Sequence, residues 1–289
     1  MVSIIIVNYN TPRLTCACIE SIFKHVKSCE YEIIVVDNAS KDDSIKILNR
    51  NFESKIILIQ SLENVGFGRA NNLGAKNAKG EYLFLLNSDT ILINDPFKYF
   101  IPFYKSSSSV GAIGSYLIDG ESKFSLSGGS IYSAKKYLKM ALNAYSNKKS
   151  VTMLDNNRIN EVGYVIGADL FISKKLFQDL NGFDKNIFMY FEDVELCDRI
   201  IKLGKSNYLI PGPLIMHFVK SSSTSQFSRL YNTASLMYCL RKSMGLLKFK
   251  IFQFLYLVLK LPILLRFGQF RENWKYINSI IHYKHYLLR

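Results

Sequence analysis

A short polar triplet, Asn87-Ser88-Asp89, follows the apolar run from Tyr82 to Leu86 and offers residue types that bind metal-associated phosphate. The apolar run predicts a strand that is buried on both faces. An open α/β sheet usually holds its ligand at the carboxyl end of such a strand. A carboxylate beside an amide suits Mg²⁺, which takes one or two carboxylates together with substrate phosphates. An Asx turn that merely ends the strand is the alternative, and these three residues alone favour it.

A pair of acidic residues, Glu192 and Asp193, follows the aromatic run from Phe188 to Phe191 and could supply a general base. Apolar neighbours raise the pKa of a carboxyl group, which makes it a better proton acceptor. An acidic first turn of a helix is the alternative, and both interpretations can hold together. Arg199 lies four residues after Glu195, and this spacing predicts a structural ion pair on one helix.

A histidine, His217, ends the predicted strand at residues 214–217. A lone histidine at a strand end is more often structural than a ligand. Here Lys220 and Ser222 follow it, and a basic side chain with nearby hydroxyl groups suits a phosphate.

Alternating strands and helices must position these groups. Strands are predicted at residues 2–7, 31–36, 55–60 and 81–86. Helices are predicted at residues 12–27, 41–49 and 69–78, with Thr11 and Ser40 as N-caps of the first two. This order indicates a parallel, doubly wound sheet. Each strand is followed by polar residues, which are Asn8 and Asn10, Asp37 and Asn38, Asn64, and Asn87 with Asp89. Four such clusters on one sheet edge indicate a nucleotide site.

The middle of the chain gives weaker signals. We expect a helix after Asp95-Pro96, a strand at 110–115, a hairpin at 123–133 around Gly128-Gly129, and a mobile loop over the site at 145–158. The small Gly167-Ala168 step lies inside an apolar stretch, where it permits close approach of a ligand or another backbone. A plain strand with a bulge fits that step equally well.

The 289-residue chain is globular in composition, and its net charge of +14 is concentrated near the C-terminus. Residues 241–289 hold ten Lys and Arg against one acid, Glu272. The uncharged run from Ile251 to Leu259 is nine residues long, far short of the ~20 needed to span a bilayer. Basic residues beside an apolar stretch suit a helix lying in an anionic membrane surface, whereas packing on the domain or a homodimer interface is the alternative.

The N-terminus lacks the features of a signal peptide. The five cysteines are odd in number and form no C-x-x-C pair, so we expect five free thiols in a reducing compartment.

Together these motifs resemble the inverting family 2 glycosyltransferases of the GT-A fold, which build bacterial surface polysaccharides such as capsule and O-antigen. The matching segments, in family order over residues 2–225, are Ile6 to Asn10, Val35 to Ser40, Asn64 to Gly74, Leu85 to Asp89, Phe191 to Glu195, Arg199 and His217. Any one motif is weak, but six in order with similar gaps are specific.

The resemblance implies roles for individual residues. The nucleotide-sugar donor would contact Asn8, Tyr9, Asp37, Asn38, Asn64, Gly66, Phe67, Asn71, Asn87 and Ser88. Asp89 and His217 would hold Mg²⁺ or Mn²⁺, Asp193 would be the catalytic base, and Glu192 would help place the acceptor. Gly167, Ala168 and Arg199 would lie on the acceptor side, and Lys220 with Ser222 near phosphate.

One departure from the family concerns the metal motif. Asn87 replaces the first Asp of D-x-D, a variant that resembles rhamnosyltransferase-like members and leaves less negative charge at the site. It favours dTDP-rhamnose as donor, with UDP-hexoses as the next candidates.

The implied organisation is a GT-A catalytic domain at 1–225, with a nucleotide-binding half at 1–90 and an acceptor half at 91–225, followed by a basic helical region at 226–289. The acceptor would be a lipid-linked or oligosaccharide glycan, and the protein would be cytoplasmic and peripheral on the inner face of the bacterial membrane.

Three other functions are considered. A nucleotidyltransferase is disfavoured because residues 8–12 contain no glycine-rich loop. A nucleic-acid binder is disfavoured because the positive charges alternate with apolar runs and match no nucleic-acid module. A nucleotide-sugar-binding protein without transfer activity is kept open by Asn87 but is disfavoured by Glu192-Asp193 together with His217.

Overall fold

The computed structural model describes residues 1–143, 155–218, 225–264 and 270–287. Its strands are β1 (Val2–Asn8), β2 (Tyr31–Asp37), β3 (Ile57–Gln60), β4 (Tyr82–Asn87), β5 (Thr90–Leu92), β6 (Val110–Ser115), β7 (Gly128–Gly129), β8 (Asn160–Val162), β9 (Tyr164–Val165), β10 (Asp169–Ser173), β11 (Ser206–Ile210) and β12 (Ile215–His217). Its helices are α1 (Pro12–His25), α2 (Ser44–Phe52), α3 (Phe67–Asn77), α4 (Phe97–Ser106), α5 (Ala134–Asn143), α6 (Lys174–Asp179), α7 (Glu192–Lys202), α8 (Ser225–Ser243), α9 (Leu246–Leu264) and α10 (Phe270–Ile281), with a 3₁₀ helix at Tyr283–Tyr286.

A mixed eight-stranded sheet in the order β3-β2-β1-β4-β10-β6-β11-β8 forms the framework of the first part of the chain. Strands β1 to β4 are parallel to one another, and β10 runs antiparallel to both β4 and β6. The predicted doubly wound α/β sheet is therefore confirmed. The apolar runs of β1 and β4 are almost entirely buried, as expected for strands with helices on both faces.

The strand register places the polar strand ends on one edge. Asn8 stands opposite Asp37, and Val7 stands opposite Asn87. Helix α3 approaches this sheet closely at Gly74, where an added Cβ would lie 2.5 Å from the side chain of Ile5. Such a contact lets the loop before α3 sit directly over the strand ends.

Two predictions about local structure are wrong. Helix α2 begins at Ser44, with Asp43 as its N-cap; the oxygen of the Ser40 hydroxyl accepts instead from Asn10 N and Asn8 Nδ2, while its proton goes to Asp37. Gly128-Gly129 does not turn a hairpin at 123–133, because it pairs antiparallel with Tyr164–Val165. Most of the loop predicted at 145–158 lies outside the described residues.

The chain divides into two compact units. The first contains residues 1–130, 155–185 and 193–222, and the second contains residues 131–154, 186–192 and 223–289. The second unit is thus larger than the C-terminal region predicted at 226–289, since two internal segments join it.

The second unit is helical, as predicted for the C-terminal region. Its helices are joined by polar and aromatic contacts: the guanidinium of Arg229 lies 4.1 Å from the ring centroid of Tyr276, and Gln253 Nε2 donates to Ile280 O at 2.6 Å. The segment 186–192 is fastened to α8, where the hydroxyl groups of Tyr190 and Ser228 are 2.7 Å apart. Among the described residues, no helix has the length and apolar character needed to cross a membrane.

Candidate active site

The pairing of two short strands brings His217 beside Asp89. Strand β12 runs antiparallel to β5, with His217 opposite Thr90, and Phe218 N donates to Asp89 O at 2.9 Å. As a result, His217 Nε2 lies 3.3 Å from Asp89 Oδ1 and 3.5 Å from Asn87 Nδ2. The structure therefore brings His217 to Asn87 and Asp89, although His217 and Asn87 are 130 positions apart in the sequence.

These three side chains fit a divalent cation by their chemistry. A carboxylate oxygen and an amide oxygen suit Mg²⁺ or Mn²⁺, an imidazole nitrogen favours a transition-metal ion over Mg²⁺, and phosphate oxygens of a substrate commonly complete the shell. The described residues contain no cluster of three or more His, Cys, Asp and Glu side chains, so an all-protein cage is absent from that part of the chain. The arrangement instead matches a site that needs the substrate to be complete.

The backbone of Asn87 is fixed from two sides. Its N–H donates to Ala168 O at 3.0 Å, and its carbonyl accepts from Thr90 Oγ1 at 2.7 Å and lies 3.6 Å from Cys18 Sγ. Ser88 Oγ lies 3.3 Å from Thr11 Oγ1. The metal motif is thus held rigidly at the end of β4. The Cys18 thiol is one of five free thiols, as predicted, and burial raises its pKa to about 12.

A buried network links the ends of β1 and β2. Asn8 Nδ2 donates to Asp37 Oδ1 at 2.7 Å, and Asn8 Oδ1 accepts from Thr15 Oγ1 at 2.7 Å. Asp37 also accepts from the N–H and the hydroxyl of Ser40, at 3.0 and 2.6 Å. Both Asn8 and Asp37 are completely buried, whereas the neighbouring Tyr9 is 42% exposed. The side chain of Tyr9 therefore lies next to this buried network and is open to solvent.

The loop before α3 is built on asparagine side chains. Asn38 Nδ2 donates to Asn64 Oδ1 at 3.0 Å, while Asn38 Oδ1 accepts from Val65 N at 3.0 Å. Gly66 has φ +83°, a left-handed conformation that favours glycine, and its N–H donates to Asn64 Oδ1. These bonds aim the first turn of α3 at the strand ends.

Two polar groups in α3 lack partners. Asn71 Nδ2 donates to Phe67 O at 3.1 Å, but the buried Asn71 Oδ1 accepts nothing. The Nε of Arg69 is also buried without a partner. Arg69 belongs to none of the motifs recognised in the sequence. A basic residue in the first turn of a helix that follows a glycine loop nevertheless indicates a candidate anion-binding position.

The predicted base Asp193 is oriented by backbone groups. Its Oδ2 accepts from Gly167 N at 2.9 Å, and its Oδ1 accepts from Val194 N at 2.7 Å. Burial raises the pKa of Asp193, and these hydrogen bonds partly oppose that effect. Burial first, and the charge of Asp193 second, raise the pKa of nearby Tyr164 to about 12. A carboxyl group with a raised pKa is suited to accept a proton.

Gly167 is tightly packed, so a larger residue there would displace its neighbours slightly. A Cβ at this position would lie 3.0 Å from the ring of Phe67 and 3.8 Å from Cβ of Asp193. The Gly167-Ala168 step therefore permits close approach of another part of the protein, and Ala168 is buried beneath it.

Strained backbone precedes the acidic pair. Tyr190 and Phe191 have φ values of +66° and +68°, and two such non-glycine residues cost roughly 1–3 kcal/mol each. Glu192, the next residue, is buried within the second unit. Strain of this kind concentrates at functional sites, which agrees with the predicted importance of this segment.

The ion pair predicted between Glu195 and Arg199 is present. Arg199 donates to both carboxylate oxygens of Glu195 and to the carbonyls of Leu180 and Gly182. Its five guanidinium donors are thus largely engaged within the fold, and an acceptor-side role stays a prediction. Lys220 and Ser222, predicted near phosphate, lie outside the described residues.

Comparisons with known proteins identify the family of the chain. Residues 3–180 match the model of Glycosyl transferase family 2, so the chain belongs to that family. It is 32% identical over 112 residues to Poly(ribitol-phosphate) beta-glucosyltransferase of Bacillus spizizenii, a match that covers 37% of this chain and 18% of that protein.

Two relatives from Escherichia coli are also similar. Rhamnosyltransferase WbbL of strain K12 is 24% identical over 221 residues, covering 68% of this chain and 82% of that protein. The UDP-Glc:alpha-D-GlcNAc-diphosphoundecaprenol beta-1,3-glucosyltransferase WfaP is 32% identical over 119 residues, covering 41% and 47%.

Solved structures show the same fold. The crystal structure of GalNAc-T7 with UDP, GalNAc and Mn²⁺ has a TM-score of 0.66 and 13% identity, covering 98% of this chain and 56% of that one. The fold is therefore GT-A. The chain spans less than a fifth of the length of the Bacillus spizizenii relative and about half of the length of the WfaP relative.

Proposed function

We propose that this protein is a metal-dependent inverting glycosyltransferase that moves a sugar from a nucleotide-sugar donor to a hydroxyl group of a glycan acceptor. The observation that carries the proposal is the carboxylate of the half-buried Asp193, which is aimed by the N–H groups of Gly167 and Val194 and whose pKa is raised by desolvation. Asp193 removes the proton from the acceptor hydroxyl, the oxygen attacks the anomeric carbon, and the nucleoside diphosphate leaves from the opposite face. One displacement inverts that carbon.

Asp89 and His217, with the amide of Asn87, hold Mg²⁺ or Mn²⁺ in this proposal. Such an ion supplies charge neutralisation for the departing diphosphate. Tyr9 stacks on the nucleotide base, and Asn38 with Asn64 fixes the loop along the ribose. Structures of this fold that contain Mn²⁺ support the assignment.

The donor is proposed to be dTDP-rhamnose, with a UDP-hexose as the next candidate. Similarity to a rhamnosyltransferase and to a UDP-glucose enzyme supports both. The acceptor is proposed to be a lipid-linked glycan of bacterial surface polysaccharide, because the name of one relative contains a diphosphoundecaprenol acceptor. The catalytic domain is proposed to cover residues 1–225, followed in the sequence by the helical region 226–289.

The test of catalysis is Asp193→Asn, which keeps the size of the side chain and removes its basicity. We expect transfer to fall by ~10²–10⁴, the usual worth of a general base, while donor affinity stays within a few-fold. The matched control is Asp198→Asn on the same helix, whose carboxylate pairs with Lys202 at the surface. Near-normal turnover by Asp193→Asn would refute the assignment.

We also propose that helix α9 rests on the anionic inner surface of the cytoplasmic membrane. Six large apolar side chains are exposed along one face of the helix; they are Leu247, Ile251, Phe254, Leu255, Val258 and Leu261. The opposite face is buried in the second unit through Phe249, Phe252 and Tyr256. Lys248 and Lys250 are exposed beside the apolar face, and their charge complements anionic lipid.

Vesicle flotation tests this surface. The full-length protein should float with phosphatidylglycerol vesicles in low salt, and Phe254→Ser with Leu255→Ser should reduce the floated fraction several-fold. Leu62→Ser, which changes a fully exposed leucine in a loop, is the control. The membrane proposal fails if the protein stays at the bottom of the gradient with every vesicle. If the double variant also converts a dimer into a monomer, the face is a homodimer interface.

A further inference from the structure

Asp169 is a completely buried carboxyl group that the proposed mechanism does not use. It is the first residue of β10, it stands opposite Leu86 of β4, and its predecessor Ala168 binds the N–H of Asn87. One carboxyl oxygen, Oδ2, accepts from both the N–H and the hydroxyl of Ser115, each at 2.6 Å. The other oxygen, Oδ1, is buried and accepts nothing.

A carboxyl group is a costly choice for this position. A buried group that only accepted from Ser115 could be an amide, which carries no charge to desolvate. Instead, burial raises the pKa of Asp169 to about 7. A buried polar atom without a partner in a native fold calls for an explanation such as a water, an ion or a catalytic role.

His217 has the complementary vacancy in its hydrogen bonding. Its Nε2 faces Asp89 and Asn87, but its Nδ1 is buried and has no partner. Metal binding through Nε2 requires the tautomer in which Nδ1 carries the proton, and metal-ligating histidines almost always donate that proton to a carboxylate, a carbonyl or a water. Both side chains lie beside the end of β4: Asp169 stands opposite Leu86, and His217 Nε2 lies 3.5 Å from the side chain of Asn87, the next residue.

The backbone explains why they are neighbours. His217 N donates to Ile118 O at 2.8 Å, and Ile118 follows Ser115 by three residues on the segment that leaves β6. Ser115 in turn holds Asp169. The two side chains are therefore anchored to one short stretch of chain. The atoms Oδ1 and Nδ1 are not hydrogen-bonded directly here, so a bridging water or a small rotation of a side chain would be needed to join them.

We infer that Asp169 is a positioning residue for the metal site: it accepts the Nδ1 proton of His217 and so presents an unprotonated Nε2 to the cation beside Asp89. This inference rests on the proposed metal-dependent function. It adds a second layer to the site, because Ser115 fixes Asp169, Asp169 fixes the tautomer of His217, and His217 then completes the ligands. Nothing in the motifs of the family 2 resemblance pointed to Asp169.

The direct test reads the tautomer of His217 in the metal-free protein by long-range ¹H–¹⁵N correlation spectroscopy. The chain has four histidines, and His217→Asn assigns the relevant signal. We expect the Nδ1–H tautomer in the wild type. In Asp169→Asn the amide oxygen would keep the bonds from Ser115 and the amide NH₂ would face the ring, so the tautomer should invert to Nε2–H. An Nε2–H tautomer in the wild type would overturn the inference without any variant.

The second readout is Mn²⁺ affinity, followed by the electron paramagnetic resonance signal of free Mn²⁺. We expect Asp169→Asn to weaken Mn²⁺ binding ~10–100-fold, as loss of an outer-shell partner does in other metal sites. Asp95→Asn is the matched control, because Asp95 is also a buried carboxylate that accepts backbone N–H groups, from Lys27 and Ser28.

The two proposals fail in different ways. If His217→Ala weakens Mn²⁺ binding and a folded Asp169→Asn does not, only the positioning role is overturned. If His217→Ala leaves Mn²⁺ binding unchanged, the metal site of the proposed function fails, and the tautomer measurement still decides whether Asp169 pairs with His217.

Discussion

Removing the guanidinium of Arg199 should destabilise helix α7 strongly. The side chains of Arg199 and Glu195 are only 20% and 2% exposed. In Arg199→Met the aliphatic length is kept, but the carboxylate of Glu195 is left buried without its partner. Breaking one side of a buried pair costs ~3–5 kcal/mol. The carbonyls of Leu180 and Gly182, which accept from Arg199 at 2.5 and 2.8 Å, lose their donors at the same time.

Hydrogen exchange of the α7 amides measures this loss locally, which avoids assuming that both units unfold together. A loss of ~3–5 kcal/mol lowers protection by more than about 100-fold, since 1.4 kcal/mol is a factor of ten. The double variant Arg199→Met/Glu195→Leu should recover most of the protection, because no charge then stays buried.

A surface ion pair on the same helix provides the control. Lys202 and Asp198 have the same four-residue spacing but are 61% and 15% exposed, so Lys202→Met should cost less than ~1 kcal/mol. If Arg199→Met matched Lys202→Met in protection yet raised KM for the acceptor, the structural assignment would be refuted and the acceptor-side role supported.

Three further predictions concern the site. Gly167→Ala should lower kcat more than it raises the donor KM, because its Cβ would press on the ring of Phe67 at 3.0 Å and displace Asp193; unchanged steady-state constants would show that the contact gives way. Asp89→Asn should abolish the Mn²⁺-dependent rise in melting temperature that a nucleotide causes, and EDTA should abolish the same rise in the wild type. A rise that survives in the variant would show that the metal binds elsewhere. The Asp169 carboxyl has a folded-state pKa of about 7 against an ordinary 3.8, so its contribution to stability is lost as pH rises between those values. In EDTA, the urea concentration at the unfolding midpoint should therefore fall less between pH 5 and pH 8 in Asp169→Asn than in the wild type. Equal falls in the two proteins would contradict this explanation.

The first half of the fold was predictable because it is governed by local patterns. Apolar runs such as residues 2–7 and 82–86 are long enough to mark buried strands, and the polar residues that follow them mark one edge. The site could be assembled from motifs for the same reason, since parallel strands bring their carboxyl ends together.

What the sequence did not reveal depends on contacts between distant segments. Gly128-Gly129 has the composition of a turn, but its partner Tyr164–Val165 lies 35 residues further on. Ser40 is a residue type that often caps helices, but here its hydroxyl is hydrogen-bonded to Asp37 and to Asn10 N instead. Asp169 lies in an apolar stretch, and its partner Ser115 is on another strand. Neighbouring residues in the sequence therefore do not show whether this acid is buried or exposed.

The contact between Phe67 and Gly167 has a kinetic consequence. Phe67 begins α3 directly after the loop that would hold the donor, and the residue it touches is the one whose N–H orients Asp193. A shift of Phe67 would therefore press on the residue whose N–H orients Asp193. We expect the reaction to follow a compulsory order in which the acceptor is activated only after the donor has bound, and product-inhibition patterns would reveal that order.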